Sequence, residues 1–160
     1  MTVINKALLS AQSEDWETPE DLFAELHRLF NFTLDPCATD KNAKCDQHYT
    51  KTENGLDQEW SGNVYVNPPY GRQIHRWLEK AVQSIDDGSC GVIVFLLPAR
   101  TDTRWFHRFF WDTEHQRAKP GIELWFLKGR LRFSNAQASA PFPSLVAILT
   151  PKANETNHGS

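Results

Sequence analysis

Residues 63–71 read Asn-Val-Tyr-Val-Asn-Pro-Pro-Tyr-Gly, a short run of strand-forming residues that stops at two consecutive prolines. β-Branched and aromatic residues such as those of the Val-Tyr-Val run favour strands. Pro68 and Pro69 fix their φ angles and lack backbone donors, and Pro68 also disfavours a helical conformation at Asn67. The pattern predicts a buried strand that ends in a stiff turn.

The turn carries side chains suited to binding a planar ring with an amino group. Asn67 and Pro68 supply an amide oxygen and a carbonyl oxygen, and Tyr70 supplies a flat aromatic face. The amine of a nucleobase is a poor nucleophile because its lone pair is delocalised into the ring. Two acceptors on its hydrogens favour the pyramidal, attacking form. We predict a catalytic set comprising Asn67, Pro68, Pro69 and Tyr70; the alternative is an ordinary surface turn with an exposed tyrosine.

Two amphipathic helices flank this strand in the sequence. The first is predicted to begin at Thr18, with Asp21 completing a capping box and Pro19 at the first helical position. Apolar residues at helical spacing extend it to Phe30. The second helix is predicted from Ile74 to Ile85. We also predict a short strand over 32–34, a short helix near 38–44 and another near 105–110.

The strands predict the class of fold. Residues 92–97 form a continuous apolar run, typical of a strand covered on both faces, as in parallel sheets. Further strands are predicted over 122–126, 130–133 and 145–149, with a hairpin turn at Lys128-Gly129. We therefore predict an α/β fold with a mostly parallel sheet, helices on both faces and an antiparallel edge hairpin.

The length of 160 residues predicts one compact domain. We assign residues 1–15 to a flexible arm, 16–150 to the domain and 151–160 to a disordered tail. No apolar run reaches the roughly 18 residues needed to span a bilayer. The first residues lack the features of a secretory signal, so we expect a cytoplasmic protein.

Charge is distributed unevenly along the chain, although the net charge is only −3. Residues 1–60 hold 5 Lys and Arg against 12 Asp and Glu, whereas residues 100–132 hold 8 against 4. Aromatic residues are interleaved with these basic residues, a mixture suited to nucleic acid. The alternative is an ordinary solvated surface. The predicted nucleic-acid contacts are Arg100, Arg104, Arg108, Lys128, Arg130 and Arg132.

Three cysteines without CxxC spacing support neither a disulfide framework nor a zinc site. Cys37, Cys45 and His48 could supply three metal ligands, but the sequence offers no obvious fourth. We predict no metal.

The ligand crevice of an open α/β sheet lies beyond the carboxyl ends of its strands. Asp35 and Asn67 each follow a predicted strand, so both side chains are expected there. A carboxylate at this position can accept from a ligand's ammonium or hydroxyl groups. The Gly-x-Gly loop common after a first strand is replaced by Pro36-Cys37-Ala38.

Taken together, the motifs resemble the phage-type DNA N-6-adenine methyltransferase family over about residues 14–150. The segments that carry the resemblance are Trp16-Glu17-Thr18-Pro19, Leu34-Asp35-Pro36-Cys37-Ala38, Asn67-Pro68-Pro69-Tyr70-Gly71, Leu97-Pro98-Ala99-Arg100, Lys128-Gly129-Arg130-Leu131-Arg132-Phe133 and Ala140-Pro141-Phe142-Pro143-Ser144. The resemblance implies a Rossmann-like domain that uses S-adenosylmethionine to methylate adenine N6 in DNA. It places cofactor contacts at Trp16, Thr18, Pro19, Asp35, Pro36, Cys37, Ala38 and Asp57.

Two other functions fit the same motifs. The Asn-Pro-Pro-Tyr turn also serves methyltransferases that act on an RNA base or on a protein glutamine. A catalytically inactive DNA-binding module with the same fold is the second alternative. The basic, aromatic segment favours nucleic acid, and the intact turn favours an enzyme.

Overall fold

The computed structural model describes residues 15–153, so the arm predicted over 1–15 and the tail predicted over 151–160 lie largely outside the described residues. The helices are α1 (Glu20–Phe30), α2 (Ile74–Asp86) and α3 (Arg104–Phe109), and a 3₁₀ turn covers Gly55–Asp57. The strands are β1 (Leu34–Asp35), β2 (Gln47–His48), β3 (Gly62–Val66), β4 (Cys90–Pro98), β5 (Trp111–Asp112), β6 (Arg117–Ala118), β7 (Ile122–Phe126) and β8 (Ser144–Leu149).

Six strands form one sheet in the order β2-β1-β3-β4-β8-β7. The first four are mutually parallel, and β8 is antiparallel to both β4 and β7. The predicted α/β class, with a mostly parallel sheet and an antiparallel edge, is confirmed.

The central strands carry the core because their residues are apolar on both faces. Ile93, Val94 and Phe95 of β4 are fully buried, and every residue of β8 is buried. Helix α2 packs on β4 and β8 with the apolar stripe that its spacing predicts, which includes Trp77 and Leu78. Helix α1 contacts the sheet through Phe23, whose ring meets that of Tyr65 edge to face with centroids 5.2 Å apart.

The predicted hairpin at Lys128-Gly129 is wrong. Residues 130–133 form no strand, and β7 instead pairs with β8 across the long segment 127–143. Both edges of β8 are taken by β4 and β7, so the sheet offers no place for another strand beside it. The intervening chain bonds elsewhere, as when Ser134 donates its amide to the Glu17 carbonyl. A small ladder between β5 and β6 was not predicted.

Two local predictions near the amino-terminal half are also wrong. Thr18 does not cap α1, which begins at Glu20 after Pro19 and has no side-chain cap bond. Its hydroxyl is hydrogen-bonded to Tyr65 instead. The short helix expected near 38–44 is absent from the described chain, because the Asp35 carboxylate accepts the amides of Cys37 and Lys44 and holds this stretch as a loop.

Helices long and apolar enough to cross a membrane are not found within residues 15–153.

Candidate active site

A cleft of about 440 Å³ opens beyond the carboxyl ends of β1 and β3. These strands are parallel neighbours with Leu34 opposite Val64, so Asp35 and Asn67 reach the same edge of the sheet. The cleft brings together nine of the predicted site residues: Trp16, Thr18, Asp35, Pro36, Cys37, Ala38, Asn67, Pro68 and Pro69. Three others lie outside its wall: Pro19 before α1, the exposed Asp57 and the buried Tyr70.

The side-chain amide of Asn67 is held in one orientation. Its Nδ2 donates to the carbonyl oxygen of Trp16 and, over 3.1 Å, to the hydroxyl oxygen of Thr18. Its Oδ1 is buried and has no hydrogen-bond partner among the described residues. A buried acceptor without a partner is costly, so this oxygen is suited to receive a hydrogen from a ligand.

Tyr70 forms part of the packing behind the Asn-Pro-Pro turn. Its hydroxyl donates to the Leu96 carbonyl over 3.1 Å, and its ring meets Phe133 and Phe142 edge to face. Burial raises the pKa of its phenol well above the usual value. Both of these aromatic side chains lie against the Tyr70 ring. The stacking of a base on Tyr70 stays a prediction.

One wall of the cleft is the segment of residues 15–18, which we call the strap. Ser134 and Asn135, far along the chain, hold it from one side. The Ser134 amide donates to the Glu17 carbonyl and its hydroxyl to the Thr18 carbonyl. Asn135 accepts from the Glu17 amide over 3.0 Å and donates to the Asp15 carbonyl over 2.9 Å. Sequence reasoning missed both residues, because polar loop residues carry no periodic signal.

The strap is tied to the opposite wall of the cleft through side chains. Asn42 donates to the Glu17 carboxylate over 3.1 Å, and Lys51 forms an ion pair with Asp15 at 3.3 Å. Both ion-pair partners are exposed, so this pair contributes little to stability. Together with Ser134 and Asn135, Asn42 and Lys51 hold the strap from both sides.

Asp35 is the one acidic residue among the buried polar side chains of the described chain, with 3% of its surface exposed. Burial raises the pKa of its carboxyl to about 6, opposed by hydrogen bonds from the Lys44 and Cys37 amides. Those two bonds leave lone pairs on both oxygens. Asp35 can therefore still accept from a ligand, most strongly when ionised.

Gly55 allows the backbone of the 3₁₀ turn to approach the loop after β1 closely. A Cβ at this position would lie 1.9 Å from the carbonyl oxygen of Pro36. The turn is fixed by Trp60, whose indole donates to the Gly55 carbonyl over 2.9 Å. Asn54 precedes it with φ of 57°, in the left-handed region. The Asn54-Gly55 pair is the signal in the sequence that indicates this turn.

The thiols near Asp35 are held in the neutral form. Burial raises the pKa of Cys45 to about 12 and that of Cys37 further still, and Asp35 adds to both shifts. Over residues 15–153, no group of His, Cys, Asp and Glu side chains is arranged to hold a metal ion.

The six predicted nucleic-acid contacts are all exposed but differ in their surroundings. Arg108 is paired with Glu79 at 3.0 Å and lies over the Phe109 ring, 4.6 Å from its centroid. Arg100 lies 6.0 Å from the ring centroid of Phe142, which itself packs on Trp16 and Tyr70. Of the six, Arg100 is thus placed beside the aromatic residues behind Asn67.

Comparison with known proteins identifies the family of the chain. The model of the DNA N-6-adenine-methyltransferase (Dam) family matches residues 5–149. The chain therefore belongs to this family, which confirms the resemblance found in the sequence.

Two curated phage proteins, both named DNA N-6-adenine-methyltransferase, are similar to the chain. The protein of Haemophilus phage HP1 is 33% identical over 146 residues, covering 86% of this chain and 79% of that protein. The protein of Escherichia phage T1 is 34% identical over 94 residues, covering 57% of this chain but only 38% of that protein. Among solved structures, a protein of Pyrococcus horikoshii proposed to be an RNA methyltransferase aligns with a TM-score of 0.45, 16% identity and coverage of 68% of this chain and 52% of that one.

Proposed function

We propose that the protein transfers a methyl group from S-adenosylmethionine to N6 of adenine in DNA. The observation that carries the proposal is the buried, unpartnered Oδ1 of Asn67, a residue that lines the same cleft as Asp35. The Asn67 oxygen can accept a hydrogen bond from an amine, and the Asp35 carboxylate can accept one from a cationic ligand. Membership of the Dam family and the phage relatives support the same activity.

The turn after β3 would act on the adenine amine. Asn67 Oδ1 accepts one hydrogen of the amine, and the Pro68 carbonyl accepts the other. These bonds strengthen as the nitrogen becomes pyramidal and gains positive charge, so they lower the barrier more than they stabilise the bound substrate. The two prolines keep the backbone oxygen in place because their φ angles are fixed. The attack would be direct: the N6–CH₃ bond forms as the S–CH₃ bond breaks, S-adenosylhomocysteine leaves and one amine proton passes to water, with no covalent intermediate on the protein.

The cleft suits S-adenosylmethionine, which supplies the electrophilic methyl group. A volume of about 440 Å³ is within the range of small-molecule sites. Asp35 would hold the ammonium or ribose hydroxyls, and Pro36, Cys37 and Ala38 would form the adjoining wall with Trp16. Gly55 allows Pro36 and the 3₁₀ turn to meet in this wall. Pro19 and Asp57 lie outside the cleft wall, which leaves them as weaker candidates.

DNA would reach the cleft from the side of Arg100 and the segment 127–143. An adenine within a duplex must leave the stack before Asn67 can reach its amine, at a cost of a few kcal/mol. Phosphate contacts by Arg100, Arg104, Lys128, Arg130 and Arg132 would offset that cost. Stacking of the base on Tyr70 requires Phe133 or Phe142 to move away from the ring.

Tritium transfer from labelled S-adenosylmethionine to DNA, RNA and protein in parallel tests the proposal. We expect label in DNA, on N6-methyladenine after hydrolysis, and a rate lower by a factor of about 10² or more when Asn67→Ala replaces the wild type. Label found only in RNA, or only in protein glutamine, would show that this molecule and not DNA is the methyl acceptor. Cofactor binding with no transfer to any acceptor would point to the inactive DNA-binding module.

A further inference from the structure

We propose that Thr18 is a positioning residue, which fixes the orientation of the Asn67 amide so that Oδ1, and not Nδ2, faces the substrate amine. The inference rests on the proposed function, because it concerns the same site. It gives Thr18 a role other than the cofactor contact predicted from the sequence.

The two strap groups that meet Asn67 define which end of its amide faces them. The Trp16 carbonyl can only accept, so it requires Nδ2 on its side. The Thr18 hydroxyl takes the second Nδ2 hydrogen over 3.1 Å. Rotating the amide by half a turn would place Oδ1 against the Trp16 carbonyl, where two acceptors repel. It would also turn two donors toward an amine that is itself a donor.

The Thr18 hydroxyl is fixed in turn by β3. Its oxygen lies 2.6 Å from the hydroxyl oxygen of Tyr65, and both residues are buried. The Tyr65 ring is packed between Phe23 and Phe32, with centroids 5.2 and 5.3 Å away. Burial raises the pKa of Tyr65, so its hydroxyl keeps its proton. The strand therefore supports both Asn67 directly and, through Tyr65, the residue that orients it.

A structural role alone predicts a different result from a positioning role. If Thr18 only stabilised the strap, removing its hydroxyl would lower stability and weaken cofactor or DNA binding together. If it orients Asn67, the loss appears in the rate of methyl transfer, since the acceptor oxygen matters most in the transition state.

The test is Thr18→Val, which keeps the side-chain shape and removes the hydroxyl. We expect a fall of about tenfold in the single-turnover rate, the effect of one hydrogen bond, with unchanged dissociation constants for cofactor and DNA. Thr18→Ser should restore the rate to near the wild-type value. Thr33→Val is the matched control, because the Thr33 hydroxyl bonds the backbone of Asn63 at the other end of β3. Its rate should equal that of the wild type.

A second measurement does not depend on activity. The Asn67 Nδ2 hydrogen that Thr18 accepts, followed by nitrogen-15 NMR, should be protected from exchange in the wild type and in Thr18→Ser, and less protected in Thr18→Val. If the wild type methylates no acceptor but the Asn67 amide shows this exchange pattern, the proposed function is wrong while Thr18 still orients Asn67. An unchanged amide signal in Thr18→Val, or a Thr18→Ser rate as low as that of Thr18→Val, overturns the inference.

Discussion

The backbone of Gly55 lies so close to Pro36 that any Cβ at position 55 would fall 1.9 Å from the Pro36 carbonyl oxygen. That oxygen belongs to the backbone, so it cannot move without displacing the loop after β1. Gly55→Ala should therefore destabilise the protein by roughly 1–3 kcal/mol, the cost of overpacking, and weaken cofactor binding. Urea unfolding and calorimetric titration with S-adenosylmethionine measure the two effects.

Gly91→Ala is the matched control for this substitution. A Cβ on Gly91 would make only an ordinary contact, 3.6 Å from Asn63 Oδ1. Its stability and cofactor affinity should match those of the wild type. If Gly55→Ala and Gly91→Ala had equal stability and equal cofactor affinity, Gly55 would have no role in the cofactor wall.

Asn67→Ala should lower the rate of methyl transfer by a factor of about 10² or more while leaving cofactor affinity nearly unchanged. The reason is that Oδ1 acts on the amine in the transition state, and loss of one such preorganised group has an effect of this size. Single-turnover transfer and calorimetry measure the two quantities. A variant that turns over at the wild-type rate would contradict the assignment of Asn67 as the amine acceptor.

Cofactor affinity should depend on pH through Asp35. Burial raises the pKa of its carboxyl to about 6, so the group is protonated below that pH. A protonated carboxyl loses the charge that attracts an ammonium, and binding a cation favours the ionised form. Affinity should therefore fall as the pH is lowered from 7 to 5, approaching tenfold per unit below the pKa.

Asp35→Asn should abolish that pH dependence and lower the affinity at pH 7. The expected loss is roughly 1.5–3 kcal/mol, the value of a hydrogen bond to a charged group. Calorimetry across this pH range provides the measurement. If the asparagine variant kept the wild-type pH profile, another group would be responsible for it.

DNA affinity should fall steeply as the salt concentration rises. Individual arginines should differ in how much they contribute to this salt dependence. Arg104→Ala or Arg130→Ala should reduce the slope of log K against log salt by about 0.9 if the residue meets a phosphate. If it reads guanine, the variant should instead lose preference at one base position. Arg108→Ala should change the slope less, because Glu79 already pairs with Arg108 at 3.0 Å.

The control for the salt slope is Arg28→Ala, since Arg28 is paired with Glu25 on the exposed surface of α1. It should bind DNA like the wild type. Triple replacement of Arg104, Arg108 and Arg130 that left the slope intact would show that these arginines only form a solvated surface.

The features that could be predicted from the sequence are those encoded by neighbouring residues. Helix α2 follows from its apolar spacing, β4 from a continuous apolar run, and the turn at Asn67 from two prolines. The meeting of Asp35 and Asn67 at one cleft follows from parallel pairing of β1 with β3.

The remaining features depend on partners that the local sequence does not indicate. Thr18 looked like a helix cap because the local pattern matches a capping box, yet its hydroxyl bonds Tyr65, 47 residues away. Residues 130–133 looked like a strand because their apolar residues alternate with arginine, yet Phe133 packs on Trp16. In both cases a tertiary contact overrides the local preference.

The strap is separated from two of the residues that hold it, Ser134 and Asn135, by about three quarters of the chain. Glu17 and Asn135 are 118 positions apart, and Thr18 and Ser134 are 116. Translation proceeds from the amino end at about 5–20 residues per second, so the strap waits several seconds for its partners to be made. Trp16, Thr18 and Asn67 are all present early, but Ser134 and Asn135 can reach the strap only after the carboxyl-terminal part of the chain emerges. The order of synthesis thus leaves this wall of the cleft without the support of Ser134 and Asn135 until late.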